Sequence, residues 1–176
     1  MKRLSMLVLV GCLFLSGCAT VSPPAGTYTP AVTQTYQADQ LIKDLAAIGQ
    51  TARNLNATTG AEHLSDLNTS RIRDFSLIAG AGVNAWGNGA TTLAAAAAGL
   101  DSAALPTGVL SVARAAFVRA IAAHGAGASA LYIVIDVYQS LRRPPPEGIT
   151  IDAVKNPTLL AVLNAIDADI AALPVH

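Results

Sequence analysis

Residues 110 to 141, LSVARAAFVRAIAAHGAGASALYIVIDVYQSL, decide the fold. Leu110, Ala113, Phe117, Ala120, His124, Gly127, Leu131, Val134, Tyr138 and Leu141 recur at alternating spacings of three and four. That rhythm keeps one stripe of an α-helix apolar, and here it holds over ten positions. Leu131-Tyr132-Ile133-Val134-Ile135 has the composition of a buried strand, but no partner strand is visible elsewhere, so the segment reads as helix. Thr107 is placed to cap the start after the Leu105-Pro106 turn. Arg142 and Arg143 suit the dipole of the last turn, and Pro144-Pro145-Pro146 stops the helix. Gly125 and Gly127 mark where it can kink.

Three further segments carry the same rhythm. Upstream, Phe75, Ala79, Gly82, Trp86, Gly89 and Leu93 form a seven-residue pattern, with Ser65 as N-cap and Asp66 in the first turn. No charge appears between Asp74 and Asp101, so residues 75 to 100 are long enough to suggest a membrane-inserting helix. Asn84 and Asn88 in mid-segment, and alanine and glycine in place of strong membrane formers, favour a buried central helix instead. Ala81, Ala85 and Gly89 form a small-residue row that admits close approach of another helix. Gly80, Gly82, Gly87 and Gly89 each cost helix stability, and a kink or break is expected near residues 87 to 89.

Before this, Leu41, Leu45, Ile48, Ala52 and Leu55 define an amphipathic helix from about Ala31 to Ala57, closed by Thr58-Thr59-Gly60. At the other end, residues 148 to 155 form a connector with a short turn around Ile151 and Val154. Asn156-Pro157 then reads as a cap followed by proline at the first helical position. Leu159, Leu163, Ile166, Ile170 and Leu173 give the last helix its apolar edge, and Pro174 ends it. Four helical segments with short connections predict an all-α fold, a small up-down bundle over residues 31 to 176.

Composition agrees: 12% charged and 5% aromatic residues, with abundant alanine, describe helices packed closely through small side chains. Eleven basic residues balance eleven acidic ones, and without Lys2 and Arg3 the nine left face eleven acids, a net of about −2. Such a balance gives no electrostatic reason to bind nucleic acid or anionic headgroups.

The amino-terminal region has a different character. Lys2 and Arg3 precede an apolar run from Leu4 to Leu15, which matches the charged and hydrophobic parts of a secretory signal. The run is shorter than the ~20 residues a spanning helix needs. Leu15-Ser16-Gly17-Cys18 then resembles the lipobox of bacterial lipoproteins, with a bulky residue, two small ones and the acceptor cysteine. The resemblance covers these four residues and the signal before them. It implies cleavage before Cys18, a thioether-linked diacylglyceride on Cys18, and usually a third acyl chain on the new amino terminus. Two or three acyl chains hold a protein on a membrane stably, at ~0.8 kcal/mol per buried CH₂. Ala19 follows the cysteine where an aspartate would suggest retention in the inner membrane, so the outer membrane is favoured.

The expected organisation is a signal peptide over residues 1 to 17, a lipidated Cys18 with a Pro- and Gly-containing tether over residues 18 to 30, and the helical domain. Cys12, the one other cysteine, lies in the part to be removed, which leaves no disulfide for the mature chain.

Candidate chemistry is sparse. His63, with Glu62 and Asp66, sits near a helix start and reads as a loop and capping group more readily than as a metal ligand set. His124 falls on the apolar stripe of the third helix. Asp136 is twelve residues further on, about 18 Å along one helix, so the two meet only if that helix folds back. Asp167 and Asp169, two residues apart, point to different faces and read as solvated. Gly80-x-Gly82 and Gly87-x-Gly89 lie inside an apolar helix and not in a phosphate-binding turn, and no nucleophile-elbow or His-Glu-x-x-His motif is present.

No catalytic, cofactor or metal residue is therefore expected, and enzyme activity is disfavoured. The expected role is that of a lipid-anchored cell-envelope protein facing the periplasm, partnered with the membrane through its lipid and with another envelope protein or itself through the helices. The alternative is a membrane-active or membrane-inserting helical protein, possible also as a prophage product.

Overall fold

The structure is a computed structural model and describes residues 30 to 175, with side chains from Ala38 onward. The signal sequence, the lipobox with Cys18, and all of the expected tether except Pro30 lie outside the described residues. Six α-helices are present among the described residues: α1 (Pro30–Asn56), α2 (Asp66–Gly87), α3 (Leu93–Ala98), α4 (Thr107–His124), α5 (Tyr132–Arg142) and α6 (Pro157–Ala171). Short 3₁₀ turns occupy Gly60–Glu62 and Leu100–Ser102. The fold is all-α, and the four expected segments become six because the second and third each break at glycine.

Helices α1, α2, α5 and α6 form the bundle. Ser76 of α2 donates its hydroxyl to the Leu45 carbonyl of α1 at 2.5 Å, and Asn56 meets Asp66 at 2.8 Å, so α1 and α2 run antiparallel. Phe75 and Gly82 of α2 meet Tyr138 and Ile133 of α5, again antiparallel. Across the next seam Tyr138 donates to the Leu163 carbonyl at 3.0 Å and Tyr132 to the Val175 carbonyl at 2.6 Å. Packing of α6 on α1 closes the ring. The result is the up-down order read from the sequence, with α3 and α4 as an excursion packed outside against α2 and α5.

The same stripes that predicted helices fill the core. Leu41, Leu45, Ile48 and Ala52 of α1, Ile72, Phe75, Ala79 and Val83 of α2, and Leu159, Leu163 and Ile166 of α6 are all buried. So are Ala113, Phe117 and Ala120 of α4 and Ile133, Val134, Tyr138 and Leu141 of α5. Ser65 caps α2 as expected, accepting from the Asn68 amide at 3.3 Å. Thr107 is not a cap: Pro106 takes that position and Thr107 is the first helical residue. Asn156 and Pro157 stand where the sequence placed them, although the Asn156 side chain makes no capping bond.

The two breaks are one feature. Gly89 adopts φ +94° after the end of α2, and Gly125 adopts φ +91° after His124, a backbone region that disfavours residues with a Cβ. The chain beyond each glycine then pairs with the other. Leu93 and Ala94 donate to the Ala128 and Ala126 carbonyls at 2.8 and 3.1 Å, and Ala130 donates to the Thr91 carbonyl at 2.8 Å. Thr92 accepts from the Ala95 amide at 3.2 Å. The first three amides of α3 are thus all satisfied, which answers the orphan-donor problem of a helix start.

Residues 75 to 100 do not form one continuous helix: α2 ends at Gly87 and α3 begins at Leu93, with Ile78, Ala79, Gly82 and Val83 of α2 buried. Among the described residues no helix is long and apolar enough to cross a membrane.

At Gly82 α2 and α5 approach closely: a Cβ there would overlap the Ile133 Cγ2 methyl, while one on Gly80 would meet nothing within 4 Å. Ile133 is β-branched and stiff in a helix, so it yields poorly. Gly82→Ala should therefore lower stability by about 1 to 2 kcal/mol, overpacking outweighing the helix-propensity gain of up to ~1 kcal/mol. Gly80→Ala should raise stability by up to ~1 kcal/mol. Urea midpoints at unchanged m-value report both, and equal signs would refute the close-approach account.

Candidate functional site

The break at Gly125 reverses the chain and makes α4 and α5 a helical hairpin. His124 therefore reaches Asp136: Nε2 lies 3.0 and 3.2 Å from the two carboxylate oxygens. The expectation that these residues stand ~18 Å apart on one continuous helix is corrected, because the helix does fold back. The His124 ring stacks on Tyr132, centroids 4.2 Å apart and planes inclined by 17°. Tyr132 is itself tied to the segment after α6, its hydroxyl donating to the Val175 carbonyl. The arrangement joins α4, α5 and the segment after α6, and the Ser140 hydroxyl donates to the Asp136 backbone carbonyl at 2.9 Å.

Of the two acids expected to be solvated on α6, Asp167 is exposed as read and Asp169 is corrected. Asp169 lies against Asp44 of α1, and its Oδ2 is buried without a hydrogen-bond donor. Desolvation by burial, then the hydrogen bond and charge of Asp44, push the Asp169 carboxyl up from 3.8 to about 6. Asp44 also accepts from Gln40 at 3.1 Å. Asp167 sits 4.0 Å from Arg142, whose guanidinium lies 5.9 Å from the centre of the Tyr138 ring. Burial pushes the Tyr138 hydroxyl well above its ordinary range, the Asp167 carboxylate adds to that, and Arg142 only partly offsets it.

Near the α1 to α2 turn, His63 holds the Thr58 carbonyl through Nδ1 at 3.1 Å, and Asp66 accepts from Asn56. Both act as loop and helix-start groups, in keeping with the sequence reading. Among the described residues no three His, Cys, Asp or Glu side chains gather as a metal set. At that same end of the bundle Arg71 donates to the Pro146 and Gly148 carbonyls, fixing the proline loop to α2.

Among the surface grooves of the described residues are these three. One of about 190 Å³ between α2, α4 and α5 has an apolar floor that includes Phe75 and Ile78, and a mixed-charge rim of Arg71, Arg119, Asp74 and Glu147. The other two, about 400 and 440 Å³, adjoin along the outer face of α2 and share Ser76, Leu77 and Gly80. His124 lines none of the three. Sequence reasoning missed both the grooves and the Asp44 contact. Only the small-residue row at Ala81 and Ala85 pointed towards the outer face of α2, where both residues line the larger groove.

No known protein family, curated protein or solved structure matches this chain.

A carboxyl whose pKa rises on folding stabilises the fold in its protonated form. For Asp169 that contribution is complete below about 3.8 and is lost as pH rises through about 6. Asp169→Asn removes the titration and lets an amide donate to Asp44. The variant should gain stability relative to the parent between pH 4 and about 6 and hold a constant advantage above that. The plateau should be about 1 kcal/mol once solvent screening at this half-buried edge is allowed for. Chemical denaturation across that pH range would refute the pairing if the two curves stayed parallel.

Proposed function

We propose that this chain is a lipid-anchored cell-envelope protein of bacterial type, with Cys18 as the acylated residue and the helical domain as a non-enzymatic binding or structural module. The observation that carries the reading is Leu15-Ser16-Gly17-Cys18 directly after a two-charge start and a short apolar run. The core supports it from the other side. Its buried side chains run from Ala38 to Leu173, so the domain can be held at a membrane without placing any described helix in it.

In this reading the acyl chains confine the protein to a lipid surface, and outer-membrane placement follows from Ala19. The start of α1 leads directly from the anchored segment. Because α2 and α6 run antiparallel to α1, the ends of both lie at the end of the bundle where α1 begins. The turn after α1 and the Arg71-fixed proline loop then face away from the membrane, available to a second envelope component.

In a bacterial host fed a clickable palmitate, the parent chain should take up label and fractionate with membranes. Cys18→Ser should lose the label and remain unprocessed. Ala19→Asp should move the protein from the outer to the inner membrane in an enteric host. Equal labelling and equal processing of the parent and Cys18→Ser would overturn the reading.

A further inference from the structure

The outer face of α2 combines three properties that no element of the anchor reading uses. Its floor carries Leu77, Gly80, Ala81 and Ala85 as a small apolar stretch, with Ser76, Asn84 and Asn88 in the same lining, walled by Ile42 of α1 on one side and Leu105 on the other. The only charged side chains lining the two adjoining grooves are arginines, Arg53 and Arg73, and both stand at the same end. The Arg53 guanidinium folds over Gly49 towards Ser76 and makes no ion pair among the described residues, whereas Arg73 shares its charge with Asp74. From Leu77 to Ala85 the apolar part of the floor runs about 12 Å along the helix. One acyl chain occupies about half of a bilayer's ~30 Å hydrocarbon core, or roughly 15 Å. An apolar stretch of about 12 Å with a cationic end fits most of a single chain carrying an anionic head.

We infer that this groove binds a long-chain fatty acid, its hydrocarbon along Leu77, Gly80, Ala81 and Ala85 and its carboxylate at Arg53 and Arg73. A carboxylate suits the flat fork of a guanidinium, and Arg53 brings an uncompensated charge to that end. Glycine and alanine on the floor let a methylene chain lie close to the helix backbone, and the combined grooves fall within the volume range of small-ligand sites. The inference does not use Cys18, so it stands or falls separately from the anchor.

The test is photolabelling of the full chain carrying Cys18→Ser, so that no acyl group of its own competes, with a diazirine analogue of palmitic acid. Adducts are then mapped by peptide mass spectrometry. Labelling should be saturable, concentrate on residues 42 to 49 and 77 to 85, and be displaced by unlabelled palmitate. Arg53→Gln, an exposed change that leaves the core untouched, should cut that labelling about tenfold, in line with loss of a charge-assisted contact. Ala81→Trp should fill the floor and abolish adducts there while the helical circular dichroism is kept. Equal labelling by a diazirine analogue of hexadecanol, parent-level labelling of Arg53→Gln, or adducts scattered over the surface or confined to residues 4 to 15 would each overturn the proposal. So would capture of a protein in place of a fatty acid by a photocrosslinking residue at Ala81 in cells.

Discussion

The backbone pairing between residues 91 to 94 and residues 126 to 130 is the constraint on which the arrangement depends. A helix that stops in mid-domain leaves amides and carbonyls without partners, and burying them unpaired costs more than the helix turn they replace. Two breaks that answer each other remove that cost. Once they are locked together, α4 must return along α5, α5 must enter the bundle antiparallel to α2, and α3 receives its capped start. The contact of His124 with Asp136 and the position of Tyr132 over the imidazole follow from the same reversal.

Around that clasp the core is built mainly of leucine, isoleucine and other large apolar side chains, with alanines and Gly82 where helices come close. The α2 to α5 seam is close-packed, with Gly82 under Ile133. The α5 to α6 seam is the opposite case, where Tyr132 and Tyr138 span the gap and end on backbone carbonyls of the C-terminal segment. Their hydroxyls turn a wider spacing into two directed bonds.

Much of this was legible in the residues. The three-four stripes of all four segments identified the buried side of nearly every helix, from Leu41 and Ile48 to Leu159 and Ile166, because burial imposes that period directly. The reversal at Gly125 was not legible as a reversal. Ala120 and Leu131 are both buried, so the apolar rhythm runs on across the loop even though the helix does not. A one-dimensional pattern records which residues face the core and not the direction in which the chain travels between them. The position of Asp169 was hidden for a related reason: its partner Asp44 lies over a hundred residues away, on a helix whose neighbour only the closed ring determines. The glycines did flag both break points, since their conformational freedom is a local property.

The side-by-side placement of the first and last bundle helices, in opposite directions, brings the start of one beside the finish of the other. Such a ring has no topologically privileged opening. A gene rearranged to join the two ends through a short spacer, and cut at the exposed turn between α1 and α2, would encode the same set of contacts in a different chain order. Folding of that rearranged chain would rest on the ring itself, and the order of synthesis would be incidental to it.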